Sequence, residues 1–201
     1  MLSVRDLASP VLGPVSMDVA AGECVAVMGA SGAGKSLLLR AIADLDANDG
    51  DVSLNGITRN AIPSNAWRQQ VALVPAESGW WADIVGEHFI AAPADMGLLD
   101  ALGLATEALS WTVARLSSGE KHRLAILRAL SLRPKALLFD EPSASLDESS
   151  TGRLEAVLQG QRADGVPIVL VTHDTAQAGR LATRVITMAG GRISDRRDTA
   201  K

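Results

Sequence analysis

The sequence predicts an α/β fold with a largely parallel sheet, and three observations carry that prediction. Short β-branched apolar runs alternate with helical patterns along most of the 201 residues, the repeat expected of layered βα units. Three runs, 71–74, 136–139 and 168–171, are apolar at every position, as in strands covered by helices on both faces. The stretch from about 80 to 115 has a different texture, with apolar residues at helical spacing in Met96, Leu98, Leu99, Leu102 and Leu104.

Taken in order, strands are expected at 15–20, 23–29, 51–57, 71–75, 136–140, 167–172 and 184–189. The three fully apolar runs are expected at the centre of the sheet. Residues 80–115 read as a short helical insertion. No linker, repeat or low-complexity tract sets it apart, so residues 1–201 are expected to form one domain. A chain of this length removes about 70% of its unfolded surface from water and needs no disulfide or metal staple.

Composition narrows the function. Nineteen basic against 23 acidic side chains, a net charge of −4 and a pI near 5.4 provide no basic footprint for nucleic acid. Aromatic content is 3% with no tyrosine, which argues against a stacking platform for bases or sugars. The apolar runs fall far short of the ~20 residues of a membrane-spanning helix. The start of the chain, with Asp6 early and no cationic segment before an apolar one, is not expected to be a secretion signal. Cys24 is the single cysteine, which excludes an intramolecular disulfide and suits a reducing compartment. A mean hydropathy of +0.17 leaves room for a peripheral protein with an apolar partner face.

Gly29-Ala30-Ser31-Gly32-Ala33-Gly34-Lys35-Ser36 fits G-x-x-x-x-G-K-[ST], with an apolar strand leading in and a helical run from Leu37 leading out. Glycines let backbone N–H groups converge on phosphate oxygens, and the following helix points the positive end of its dipole at the same anion. Lys35 is expected to bridge the terminal phosphates and the Ser36 hydroxyl to ligate Mg²⁺. Residues Gly29 to Leu37 are thus the nucleotide-binding candidates.

A second element, Ala136-Leu137-Leu138-Phe139-Asp140-Glu141, is an apolar strand ending in adjacent carboxylates. Such a strand delivers them to its C-terminal edge, where open α/β sheets bind ligands. Asp140 is expected to hold Mg²⁺ through water, and Glu141 to polarise the water that attacks the γ-phosphate. A third, Leu116-Ser117-Ser118-Gly119-Glu120, precedes a helical run. On local physics it is a helix N-terminus capped by Ser117 or Ser118.

Together with Ser145-Leu146-Asp147 and Val171-Thr172-His173-Asp174, these motifs stand in the order and spacing of the ATP-binding cassette (ABC) ATPases, the nucleotide-binding subunits of ABC transporters, and the chain resembles that family over nearly its whole length. LSSGE followed by LLFDEP is the discriminating pair. The resemblance implies a P-loop NTPase core with a mostly parallel central sheet, a small antiparallel β subdomain and a short helical insertion. It implies ATP and Mg²⁺ as cofactors, and a head-to-tail dimer with itself or a second ABC ATPase subunit. In each composite site Ser117, Ser118, Gly119 and Glu120 would come from the partner subunit. Lys35, Glu141 and His173 would be catalytic, His173 contacting the γ-phosphate and orienting the Glu141 water, and Asp147 would lie at the dimer seam. A separate transmembrane permease would complete the machine, on the cytoplasmic face of the cell membrane.

The sequence departs from the family's pattern in four places. Val74-Pro75 is followed by Ala76 where a glutamine is usual, and Glu77 stands one residue late as a partial substitute for Mg²⁺. No aromatic residue precedes Trp67, so the adenine is expected to rest on Val11 or Leu12. Ser118 replaces the first signature glycine and His122 a common glutamine. Trp80-Trp81 either face the groove that receives the membrane subunit or glue the insertion to the core. The chain is short for a cassette, and the reduction is expected on the adenine side and in the insertion. Two alternatives stay open: an ATP-gated interaction module with little hydrolysis, and a soluble ABC ATPase outside transport.

Overall fold

The computed structural model describes residues 1–90 and 97–198, with side chains described as far as Arg197. An antiparallel sheet comes first: β1 (Leu2–Ser9), β2 (Leu12–Val19), β4 (Asp49–Leu54) and β5 (Ile57–Thr58), in the order β2-β1-β4-β5. The second sheet contains β3 (Cys24–Met28), β6 (Val71–Val74), β7 (Ala136–Asp140), β8 (Ile168–Val171), β9 (Arg184–Ala189) and β10 (Arg192–Asp198), in the order β10-β9-β3-β8-β7-β6. All its pairings are parallel except β10 with β9. The helices are α1 (Lys35–Ile42), α2 (Ser64–Gln70), α3 (Gly97–Ala101), α4 (Ser118–Ser131), α5 (Glu148–Ala163) and α6 (Thr175–Leu181).

Alternation along the strands builds a core on each face of the larger sheet. Val25 and Val27 of β3 join α1, Trp67 and the antiparallel sheet on one side. Cys24 and Ala26 join α4, α5 and the insertion on the other. Burial pushes the Cys24 thiol up to about 12, so it stays protonated as a small core residue. The Trp67 indole is fully buried and donates to the Ile42 carbonyl at 2.9 Å, pinning α2 to the end of α1.

Three expectations need correction. The fully apolar run 71–74 is not central: β6 is the sheet's edge strand. Its apolar pattern reflects coverage of both faces, which composition reports, and not lateral position, which it does not. β1 and β10 went unforeseen. In β1 a left-handed Asp6 (φ 48°) breaks the alternation between Val4 and Leu7, and β10 is a polar edge strand of the kind that resists unwanted pairing. Among the described residues the insertion is less helical than its spacing predicts. Besides the described part of α3 it contains 3₁₀ turns at Val85–His88, Thr106–Ser110 and Val113–Arg115, tied by Val85 N–H to the Trp111 carbonyl at 2.9 Å. Met96 lies outside the described residues.

Candidate functional site: a phosphate cradle at the carboxyl edge

Because β3, β8, β7 and β6 run parallel, their C-terminal ends lie along one edge, and the residues following each meet there. A cleft of about 530 Å³ opens at this edge. It is lined by the loop after β3 through the first turn of α1, by Asp140 at the end of β7 and Glu141 after it, by His173 after β8, and by Ala76 after β6.

The loop is shaped by glycines at positive φ: Gly29 at 144°, Gly32 at 77° and Gly34 at 97°. A Cβ at Gly29 would collide with the Met188 carbonyl. Gly34 occupies the N-cap of α1 with no side-chain cap, leaving the amides of the first turn open to an anion. Lys35 folds back over the loop, its Nζ donating to the carbonyls of Gly29 at 2.8 Å and Ala30 at 3.0 Å. Of the candidates Gly29 to Leu37, Ala30 alone does not line the cleft, and it takes part through that carbonyl.

Glu141 leaves β7 in a left-handed conformation (φ 51°), held by its N–H donating to the Val171 carbonyl at 2.9 Å. For a non-glycine residue this costs roughly 1–2 kcal/mol. It brings the carboxylate to His173, whose Nδ1 lies 2.7 Å from Glu141 Oε2. A carboxylate accepts, so Nδ1 is the donor and Nε2 is left for a ligand. The imidazole is 76% exposed, against 22% for the Glu141 side chain, so the histidine is the accessible member of the pair.

Ser36 and Asp140 are the cleft's candidate metal ligands. A hydroxyl and one carboxylate beside a phosphate cradle suit Mg²⁺, which keeps several waters and takes the rest of its shell from substrate phosphates. Among the described residues no cluster of three His, Cys, Asp or Glu forms a self-sufficient cage. Ala76 lines the cleft and Glu77, though exposed, does not.

The LSSGE residues are not in this cleft. Ser117 is the N-cap of α4 and forms a capping box with Glu120: Ser117 Oγ accepts from the Glu120 N–H at 3.2 Å, and Glu120 Oε2 accepts from the Ser117 N–H at 2.9 Å. The Ser117 N–H and hydroxyl both donate to Glu120 Oε2, at 2.9 and 2.8 Å, and hold its carboxyl below the usual range. Ser118 is exposed on the first turn, and a Cβ at Gly119 would lie 3.2 Å from the Ser145 carbonyl. Asp147 also lies outside the cleft, as the N-cap of α5; its Oδ1 accepts from the Ser150 N–H at 2.7 Å, which lowers its pKa. His122 is buried, and desolvation pushes its pKa down.

The adenine expectation changes in part. Leu12 is 1% exposed and belongs to the core, so it offers no surface, whereas Val11 in the same turn is 65% exposed. The two tryptophans differ in burial. Trp80 packs on the core and meets the His88 ring edge-on at 4.7 Å. Trp81 is 71% exposed and borders a separate apolar groove of about 350 Å³ along the β6 edge. Arg128 of α4 ties this corner together, its Cζ about 5 Å from both indoles.

The profile of the ABC transporter family matches residues 12–144. The aliphatic sulfonates import ATP-binding protein SsuB 1 of Pseudomonas syringae pv. tomato is 39% identical over 187 residues, covering 92% of this chain and 67% of that protein; the chain thus spans about two thirds of its length. A solved ATP-binding subunit of an ABC transporter superposes with a TM-score of 0.89 at 28% identity, covering 98% of this chain and 90% of the other. The ATP-binding cassette MJ0796, solved as a dimer in a post-hydrolysis state with ADP and Pi, superposes with a TM-score of 0.86 at 22% identity over the full length of both chains, which speaks to the fold. Sequence, fold and cradle agree, and the chain belongs to the ABC transporter family as one of its ATP-binding subunits.

Proposed function

We propose that this chain is the Mg²⁺-dependent ATPase subunit of a transporter, working as a head-to-tail dimer beneath a separate permease on the cytoplasmic face of the membrane. The observation that carries this reading is the division of the motifs: one cleft gathers the P-loop, Asp140, Glu141 and His173, while Ser117 to Glu120 lie elsewhere on the same chain. A helix N-terminus with no phosphate of its own meets one when a second subunit faces it. The dimer of MJ0796, a cassette of the same fold, supports this arrangement.

In this mechanism the amides of Gly32 and of Gly34 to Ser36 bind the phosphates, and Lys35 exchanges its two loop carbonyls for phosphate oxygens. Ser36 and, through water, Asp140 would hold Mg²⁺, which when bound neutralises charge on the β- and γ-phosphates. Glu141 accepts the proton of the attacking water as the γ-phosphate parts from ADP. His173 orients Glu141 through Nδ1 and offers Nε2 to the γ-phosphate. The partner's Ser117 and Gly119 close the site from the far side. The groove beside Trp81 receives the permease. Among the described residues no helix is long and apolar enough to cross a membrane.

The test is steady-state phosphate release by the purified chain with and without Mg²⁺, together with sedimentation of Glu141→Gln in ATP. Mg²⁺-dependent turnover in the wild type and an ATP-stabilised dimer in the variant are expected. Absence of turnover with dimerisation intact would leave an ATP-gated interaction module instead.

A further inference from the structure

We infer that Arg192 supplies the flat surface on which the nucleobase rests, with Val11 in the neighbouring turn, in a chain whose cleft is lined by no phenylalanine or tryptophan among the described residues. This builds on the ATP-binding reading above and names the residue that sets affinity for the base.

The β9–β10 turn is welded to the phosphate cradle. Gly191 is buried at φ 74°. Its N–H donates to the carbonyl of Ala33 in the P-loop at 3.0 Å, and its own carbonyl accepts from the Gly13 N–H at 3.0 Å. A Cβ at Gly191 would stand 2.5 Å from the Val11 carbonyl oxygen, and one at Gly34 would stand 3.2 Å from the Gly191 Cα. The P-loop, the β1–β2 turn and the start of β10 therefore form one continuous surface.

Arg192 is the first residue of β10, and its side chain runs across the β1–β2 turn. A Cβ at Gly13 would lie 2.7 Å from Arg192 Cζ and 2.8 Å from Nε, so the guanidinium occupies space that only a glycine leaves open. The side chain is exposed and makes no hydrogen bond or ion pair with any described residue. Neighbouring arginines of the same strand are engaged: Arg196 donates to the Ser16 carbonyl and Arg197 to Asp195. An unpartnered planar cation beside an exposed valine, on a surface continuous with a phosphate cradle, suits a flat π-system attached to those phosphates. A guanidinium stacks on such faces and tolerates partial desolvation, whereas an ammonium is compact and strongly hydrated. A guanidinium stacks on any purine face, so it favours stacking over discrimination among purines.

The experiment is calorimetric titration of the full chain with Mg-ADP and with Mg-pyrophosphate, which carries no base. Arg192→Ala is expected to bind ADP about two- to fivefold more weakly with pyrophosphate unchanged. Arg192→Trp is expected to restore ADP binding and Arg192→Lys is not; this pair also controls for any folding defect in the alanine variant. Unchanged ADP binding in Arg192→Ala, a parallel loss of pyrophosphate, or full rescue by lysine each overturns the inference. A wild type that binds neither ligand overturns the ATP-binding reading with it, while binding of both with no base-dependent loss in Arg192→Ala overturns the inference alone.

Discussion

His173 Nδ1 and Glu141 Oε2 stand 2.7 Å apart, linking the ends of the adjacent strands β8 and β7. The pair is held by backbone as well as by side chains, since the Glu141 N–H donates to Val171. Glu141→Gln is expected to lower turnover by about 10²- to 10⁴-fold while nucleotide binding survives. His173→Ala is expected to lower kcat with a much smaller change in KM. Phosphate-release kinetics check both, and turnover within threefold of wild type in Glu141→Gln would remove the carboxylate from the mechanism.

The capping box of α4 makes a pH-dependent contribution to stability. Hydrogen bonds from Ser117 lower the Glu120 pKa in the folded state. The contribution is therefore complete above the unfolded glutamate value and is lost as pH falls through the lower folded value. Glu120→Ala is expected to destabilise the chain by about 1 kcal/mol near neutrality. Urea unfolding at pH 7 and at pH 3 checks this, the difference between variant and wild type shrinking at the lower pH.

Trp81 and Trp80 are expected to separate binding from folding. Trp81→Ala removes a side chain 71% exposed and should leave the thermal midpoint nearly unchanged while weakening capture of the permease from solubilised membranes. Trp80→Ala opens the core at the insertion and is expected to cost about 2–4 kcal/mol. A large loss of stability in Trp81→Ala would make it part of the glue and remove it from the docking surface.

Ala76, not Glu77, faces the cleft. Glu77→Ala is accordingly expected to leave Mg²⁺-dependent turnover within twofold of wild type. Ala76→Gln, which adds an amide at the cleft wall, is expected to lower the Mg²⁺ concentration needed for half-maximal turnover. A Mg²⁺ titration of the two variants decides between the residues.

Without an aromatic platform, one stacking contact worth about 1–3 kcal/mol is missing. Affinities for ATP and GTP are expected to lie within a few-fold of one another in competition binding. Tight selectivity for ATP would contradict a base held by Val11 and a guanidinium.

Much of the architecture was legible because its signals are local. The run from Gly29 to Ser36 carries its own strand-to-helix transition, and Ala136 to Glu141 carries a strand with its terminal carboxylates. Where alternation was broken by the left-handed Asp6, or absent as in polar β10, the strand went unseen. In the insertion the apolar residues keep helical spacing, while the described residues Val85–His88, Thr106–Ser110 and Val113–Arg115 form 3₁₀ turns instead.

The sequence by itself determined the fold class and marked the loop from Gly29 to Ser36 and the strand-end carboxylates Asp140 and Glu141, since each rests on residue types at short spacing. Only the tertiary structure decided that 71–74 is an edge, that Leu12 is core, that Glu77 stands outside the cleft and that Trp80 and Trp81 part company. It alone brought Arg192 to Gly13, residues 179 positions apart in the chain. Lateral strand order, side-chain burial and contacts between distant turns are set by how sheets and helices stack, and no short stretch of residues encodes them.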